Sequence, residues 1–453
     1  MQIHQIPGSR IARGAFGEIS LALATSQHEQ SNASDDIEQP TTTSLSIVAL
    51  KTVFVEESSA DTRTNTDETA LLDEITCLRE LHPHPNIVPL WKVLDNAGDA
   101  PGFKSLALPY CPMDLYSVLE WKRLSFHPPL SMAAIHCLAS HLFRALQHVH
   151  EHNIVHGDIK PSNLLLNVST GQLQLADFGI SQRVRLLADK EPPVHTDDQQ
   201  MAVEPDPEDM AAQWALKLQQ QSQTAKQKKP TAICTLQYRP PELLLGSQSA
   251  EPALDMFSAG VTVADLIKGS LTFPGTNDLS QLSFYFQALG TPLSGSQLHQ
   301  LPDWGKLTFT EQIANPHWYR IIVLGNRGLS ANGSSSSIPS WISQILVHTI
   351  HLEPQQRWTA PECYSQLLSE TPSVQQAKDN SLLPFLQELL PASLQSTPLL
   401  LTPYLDNYTA VEEQLQKMAN HRRTFLSSLE PWNQFLAQEK KKPDNATSKS
   451  NIK

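Results

Sequence analysis

Four side chains near the middle of the chain have the types and spacing of a phosphoryl-transfer site. The run His156-Gly157-Asp158-Ile159-Lys160-Pro161-Ser162-Asn163 sets out a carboxylate, an ammonium group and an amide, and Asp177-Phe178-Gly179 adds a second carboxylate. Moving the γ-phosphoryl group of ATP asks little covalent chemistry of a protein. It asks for magnesium held against the phosphates and a hydroxyl aimed in line. Asp158 has the chemistry to orient and deprotonate that hydroxyl, Lys160 to neutralise the γ-phosphate, and Asn163 and Asp177 to hold Mg2+. Any one of these residues alone reads as solvated surface; the ordered string does not.

Such groups need a framework. Near the N-terminus, Ala12-Arg13-Gly14-Ala15-Phe16-Gly17 is a loop whose backbone N–H groups can approach phosphates. Around it, residues 10–23 alternate apolar positions near Ile19 and Leu21 and are expected to form two short strands joined by a turn. A strand is expected at 45–54, and Leu71, Leu72, Ile75 and Leu78 give helical spacing over 67–81. Strand-like runs follow at 87–95 and 104–110, and a helical block at 131–152 leads into the catalytic string. Later helices are expected over Leu254–Lys268, Ser280–Leu289, Trp341–His351 and Pro361–Leu368. Residues 25–44 and 183–229 are polar and read as disordered insertions, the second as a mobile loop rather than a folded subdomain. Ser334–Ser337 marks another loop. The tail from 371 is Leu- and Pro-rich, with one amphipathic candidate at 409–437. Its terminal Lys440-Lys441-Lys442 reads as a solvated end rather than a nuclear signal.

The bulk numbers narrow the class. A length of 453 residues accommodates one large or two ordinary cores, and 40% hydrophobic residues fit a soluble globular protein. A formal net charge of −13 argues against non-specific nucleic-acid binding. No run of about 18 apolar residues is present, so no membrane span or membrane partner is expected. The first residues enter motif chemistry with no apolar h-region, which argues against a signal peptide. The five cysteines lack metal-ligand or paired spacing and read as free thiols of a reducing compartment, cytoplasm or nucleus.

Together these motifs resemble the eukaryotic protein kinases over residues 8–370. The resemblance implies an α+β, two-lobed fold: a β-rich small lobe over 8–108, a hinge at 109–114 and a helical large lobe over 115–370, with 371–453 as a tail. It implies ATP and Mg2+ as cofactors. Ala12, Gly14, Gly17 and Ile19 would cover the nucleotide, with the family's first glycine replaced by Ala12. Val48-Ala49-Leu50-Lys51 matches the strand carrying the ATP lysine, with Ala49 in the nucleotide site and Glu74 as the lysine's partner. Leu108 stands as gatekeeper of the hinge Pro109-Tyr110-Cys111. Pro109 keeps the carbonyl that the family uses for adenine, and Cys111 has the N–H. Asp114 lies where the family contacts ribose, and Leu165 belongs to the same ATP-binding set. Glu242, in Pro240-Pro241-Glu242, has Arg357 as its buried partner; Asp255 braces the catalytic loop; Leu78, Leu90, His156 and Phe178 align as an apolar spine.

Lys160 and Thr235 match the Ser/Thr branch. Tyr238-Arg239-Pro240-Pro241-Glu242, Phe273-Pro274-Gly275, Leu289-Gly290-Thr291-Pro292 and Leu301-Pro302-Asp303-Trp304 resemble the cyclin-dependent-kinase (CDK) group. In that group the arginine matching Arg239 favours proline after the phosphoacceptor; here Gln237 replaces the usual tryptophan beside it. Other departures concern regulation. Three arginines that grip an activation-loop phosphothreonine are replaced by Gly157, Asp73 and Gln182, and the phosphothreonine position reads as Pro230, beside Thr231. Ala15 and Phe16 replace the inhibitory Thr-Tyr pair, and Glu68-Thr69-Ala70-Leu71-Leu72-Asp73-Glu74 replaces the cyclin-binding signature. These losses argue against activation-loop phosphorylation and against a cyclin partner. They resemble the single-subunit CDK-activating kinases of fungi, which implies protein substrates with Ser/Thr, including the activation loops of other CDKs. A catalytically impaired scaffold, suggested by Ala12 and Gly157, and an ordinary cyclin-bound CDK are the competing readings.

Overall fold

Period-two alternation along two long strands sets the frame of the small lobe. The computed structural model describes residues 2–13, 17–28, 42–54, 64–95, 103–184, 234–308, 317–325, 339–370, 381–392, 413, 416–420 and 424. Five antiparallel strands run in the order β1-β2-β3-β5-β4: β1 Gln2–Arg13, β2 Gly17–His28, β3 Thr42–Phe54, β4 Lys92–Asp95 and β5 Phe103–Pro109. Ile19, Leu21 and Leu23 alternate on one face with Ile47, Ala49 and Lys51, while Ala22, Ala24, Val48 and Leu50 pack on the other. Helix α1 (Thr64–Glu80) buries Leu71 and Ile75 against Val53 and Leu106, which brings Glu74 beneath the sheet.

The large lobe hangs on helices. Short strands β6 (Met113–Asp114), β8 (Leu164–Asn167) and β9 (Gln172–Leu175) form one sheet, and β7 (Ile154–Val155) pairs with β10 (Gln182–Arg183). Helices α2 (Leu115–Leu124) and α3 (Met132–Glu151) follow the hinge; the Ser131 hydroxyl caps α3 by accepting from Ala134 N at 3.2 Å. Beyond the catalytic segment come α4 (Pro241–Leu244), α5 (Pro252–Lys268), α6 (Asp278–Leu289), α7 (Trp318–Gly325), α8 (Ser340–Thr349), α9 (Ala360–Ser369) and α10 (Leu386–Leu389). From Leu254 to Ile267 every residue of α5 is buried, so it is the axis of this lobe. Gly260 lets it meet α8: a Cβ there would stand 2.1 Å from the Thr349 hydroxyl.

Several expected boundaries move. The polar stretch expected to be a loop at 25–44 gives its ends to the ladder: β2 and β3 stay paired through Thr25↔Leu45 to His28↔Thr42, because Thr and Ser suit an extended edge. Of the run expected at 87–95 only Lys92–Asp95 is strand; Pro89 has no N–H for a ladder, and Ile87 makes an isolated bridge to Leu175. The first strand starts at Gln2, earlier than residue 8 or 10. Gln182, Arg183 and Val184 are held to β7 and Asn153, so most of 183–229 together with Pro230 and Thr231 lies outside the described residues. Gly14, Ala15, Phe16 and Ser334–Ser337 also lie outside them. The described parts of the tail pack on both lobes. Leu382, Leu389 and Leu390 join the large-lobe core, and helical residues 416–420, within the expected 409–437, reach the small lobe.

Candidate active site

Backbone hydrogen bonds fix the catalytic segment before any side chain acts. Asp255, fully buried in α5, accepts from His156 N at 2.8 Å and Gly157 N at 2.9 Å, and His150 Nε2 lies 3.0 Å from the same carboxylate. Gly157 adopts φ 82°, a left-handed conformation that glycine takes without strain. His156 Nε2 lies 3.0 Å from Ala176 O, which ties this segment to the strand leading into Asp177.

Asp158 is the hub. Its Oδ1 accepts from the Thr235 hydroxyl at 2.7 Å and Thr235 N at 3.0 Å, and its Oδ2 accepts from Lys160 Nζ at 2.5 Å and Asn163 Nδ2 at 3.1 Å. Lys160 also donates to the Thr235 hydroxyl at 2.9 Å. Burial disfavours the charge on Asp158, but the bonds from Lys160 and Thr235 outweigh it and hold the carboxyl below its ordinary range.

Across the cleft, Lys51 Nζ donates to both oxygens of Glu74 at 2.8 Å and to Asp177 Oδ1 at 2.9 Å. Burial opposes the Lys51 charge, yet the two carboxylates hold its ammonium above the usual lysine range. Burial also raises Glu74, whereas for Asp177 the opposing attraction of Lys51 prevails and the carboxyl is lowered. The Asp177 side chain stays 51% exposed, open to whatever enters the cleft. Its φ of 68° turns the backbone so that Phe178 points inward, edge-on to His156 with ring centroids 4.8 Å apart. Leu78 and Phe178 are buried in one cluster against which Leu90 packs, and the buried His156 joins it through Phe178, so the four expected spine residues come together.

The other expected residues fall around this centre. Ala49 sits opposite Leu108 in the β3–β5 ladder and Ile19 opposite Lys51 in β2–β3; Ala12, next to last in β1, pairs with Ile19, and Gly17 opens β2. Pro109 ends β5, Cys111 is buried just after it, and Leu165 lies on β8 opposite Asp114. Asp114 is the N-cap of α2, its oxygens accepting from Ser117 N at 2.8 Å and the Ser117 hydroxyl at 3.0 Å. Arg357, with a fully buried side chain, donates to both Glu242 oxygens at 2.6 and 2.7 Å. For Mg2+, Asp177 offers carboxylate oxygen and Asn163 an amide whose nitrogen is engaged by Asp158, leaving oxygen chemistry that suits a hard cation. Among the described residues there is no group of three or more His, Cys, Asp or Glu that could hold a metal ion.

Three features have no motif to announce them. Cys234 has φ 67°, and its carbonyl accepts from Arg239 Nη2 at 2.8 Å and Nε at 3.2 Å. The Tyr238 hydroxyl donates to Asp265 at 2.8 Å, a carboxyl that burial pushes up to about 6. Arg183 forms a two-pronged pair with Glu80 at the end of α1, and Ser181 meets Cys77 of the same helix at 3.2 Å. All five cysteines carry free thiols, and no helix among the described residues is long and apolar enough to cross a membrane.

The family model described as "Protein kinase domain" matches residues 39–199 and 215–368. Human Cyclin-dependent kinase 20 is 31% identical over 247 residues, covering 54% of this chain and 58% of its own. Human Cyclin-dependent kinase 10 is 28% identical over 359 residues, covering 78% of this chain and 76% of its own. The chain thus spans under two thirds of the first of these relatives. Among solved structures, a chain of the CAK complex of Chaetomium thermophilum bound to ATP-gamma-S superposes with a TM-score of 0.56 at 24% identity, covering 82% of this chain and 92% of that one. A chain of the yeast RNA Pol II CTD kinase CTDK-1 complex gives 0.52 at 21% identity, covering 72% and 87%. At that identity the structures speak for the two-lobed fold alone. The chain belongs to the protein kinase domain family, in its cyclin-dependent-kinase-like Ser/Thr branch.

Proposed function

We propose that this protein is an ATP-dependent Ser/Thr protein kinase whose catalytic cleft is in working order without activation-loop phosphorylation. The observation that carries the reading is the three-way contact of Lys51 with Glu74 and Asp177 at 2.8 to 2.9 Å, formed while Gly157, Asp73 and Gln182 stand where a phosphate-gripping arginine cage is expected. Lys51, held by Glu74, grips the nucleotide phosphates, and Asn163 and Asp177 hold Mg2+, which neutralises charge on the phosphate oxygens. Asp158 orients the substrate hydroxyl and accepts its proton from the position where the Thr235 hydroxyl now donates, at 2.7 Å. Lys160, already 2.5 Å from Asp158, stabilises charge on the transferred group.

Arg239 supports a preference for proline after the phosphoacceptor. Its guanidinium occupies the Cys234 carbonyl, so a substrate N–H brought there has no acceptor, and proline has no N–H to leave unmet. In the position of the missing tryptophan, Gln237 donates to Gly275 O at 3.0 Å and keeps this loop tied to the large lobe. The missing cage and cyclin signature support autonomy, with the activation loops of other CDKs as substrates and cell-cycle or transcription control in the nucleus as the setting.

Protein made in bacteria, free of cyclin and upstream kinases, tests this. It should transfer γ-phosphate to the activation-loop threonine of a catalytically dead CDK, and Asp158→Ala should abolish the transfer. Activity appearing only after a cyclin is added would overturn autonomy. Nucleotide binding with no transfer to this or any Ser/Thr-Pro substrate would favour a scaffold.

A further inference from the structure

A short segment of the chain's own tail packs on the face of the small-lobe sheet that carries Ala49 and Lys51. By alternation, Ile19, Leu21 and Leu23 of β2 share the face that presents Ala49 and Lys51 of β3. Ala419 is fully buried against Leu21, Leu23, Ile6 and Ile11. Met418 packs on the same cluster, as do Ile19 and the hinge residue Tyr110. Gln416 Nε2 donates to Pro7 O at 3.1 Å, pinning the segment along β1. Ile11 immediately precedes Ala12, so this contact grips the root of the glycine-rich loop, and Ile11 is only 6% exposed.

The same tail is anchored to the large lobe. Leu382 N donates to Gly171 O at 2.7 Å, Lys122 Nζ donates to Glu388 O at 3.1 Å, and the Glu388 carboxylate accepts from the Ser131 hydroxyl at 2.8 Å and from Ser131 N. Two described segments of the tail, 381–392 and 416–420, therefore hold one lobe each, the second meeting the small lobe beside β1 and the hinge residue Tyr110.

We propose that residues 416–420 are a positioning segment for the nucleotide. They hold the β1 root of the glycine-rich loop and the Tyr110 side of the hinge in the spacing that ATP fills, so tail docking and ATP binding favour each other. The inference rests on the kinase reading above. Ala419 is where it is most exposed to test, because its Cβ has apolar neighbours and any charge there would lie against Ile and Leu.

The test uses the full chain. Ala419→Glu should raise KM for ATP at least about fivefold, the lower end of site–site coupling, while kcat at saturating ATP changes less than about twofold. Gln416→Ala, which keeps the apolar contact, should shift KM the same way by less, and it carries the test if Ala419→Glu does not fold. Reciprocally, ATP should slow tryptic cleavage after the exposed Lys417 in the wild-type protein. Equal nucleotide affinity of wild type and both variants would overturn the inference alone. Tighter binding by the variants would overturn it in favour of a tail that competes with ATP. A wild-type protein that binds no ATP would overturn the kinase reading and this inference together.

Discussion

Asp158 and Lys51 each meet at least two partners within 3.2 Å, most of them buried or half-buried, and the segment that carries Asp158 is tied to Asp255 through two backbone N–H groups. Between α1 and β10, at the edge of the same cleft, the hold is thinner. It consists of the Arg183–Glu80 pair, with side chains 52% and 33% exposed, and the Ser181–Cys77 contact. A pair that open to water contributes about 0–1 kcal/mol, whereas donors fixed in a dry site keep their strength and need no reorganisation at the moment of reaction. The resemblance would have put a phosphate and three arginines at this edge. Asp73 is instead exposed, Gln182 lies opposite Val155 in the β7–β10 ladder, and Gly157 turns through φ 82°. The contrast teaches that alignment of this cleft is carried from inside, by the spine, Asp255 and the Lys51–Glu74 pair.

The largest effects should therefore come from inside. Asp177→Asn or Lys51→Met should lower kcat by about 10²-fold or more, measured by phosphate transfer with folding checked by circular dichroism. Wild-type turnover in either variant would break the comparison outright, because the interior would then not be where catalysis is held. Next in size is Arg239→Ala. Freeing the Cys234 carbonyl should cut the preference for Pro over Ala after the phosphoacceptor about tenfold, the worth of a hydrogen bond to a charged group, read as a ratio of kcat/KM on paired peptides. An unchanged ratio would mean that the carbonyl does not face substrate.

What was legible in the sequence follows the same division. Asp158, Lys160, Asn163 and Asp177 could be read directly because local chain geometry dictates their spacing, and the helices and strands that carry them show plain period-two or helical alternation. Asp255 and Arg357 became legible only through the kinase resemblance, since each meets its partner across about a hundred residues. The φ of 67° at Cys234 has no signature, because cysteine is not a residue that announces a left-handed turn. Nor does an amphipathic tail segment name the surface it covers: the composition of 409–437 suggested a helix, and only the fold reveals Ala419 against Leu21 and Ile11. Polar composition misled at 25–28 and 42–44, where pairing with a neighbouring strand outweighs low hydrophobicity.

At the thin edge the effects should shrink. Arg183→Ala and Glu80→Ala should each lower kcat/KM less than about fivefold, and a double-mutant cycle should return a coupling of about 0.2–1 kcal/mol, as for other exposed pairs. A coupling above that range would make the pair a replacement for the missing phosphate and move the weight of alignment outward. Smallest of all should be Thr231→Ala, expected to keep kcat/KM within about twofold in protein made without upstream kinases, because a phosphate needs paired cations to order a loop. Asp73 and Gln182 offer none, and Arg183, the cation of β10, is already committed to Glu80. A large loss in this variant, matched by phosphate on Thr231 in mass spectra of the wild type, would require a receptor other than the absent cage.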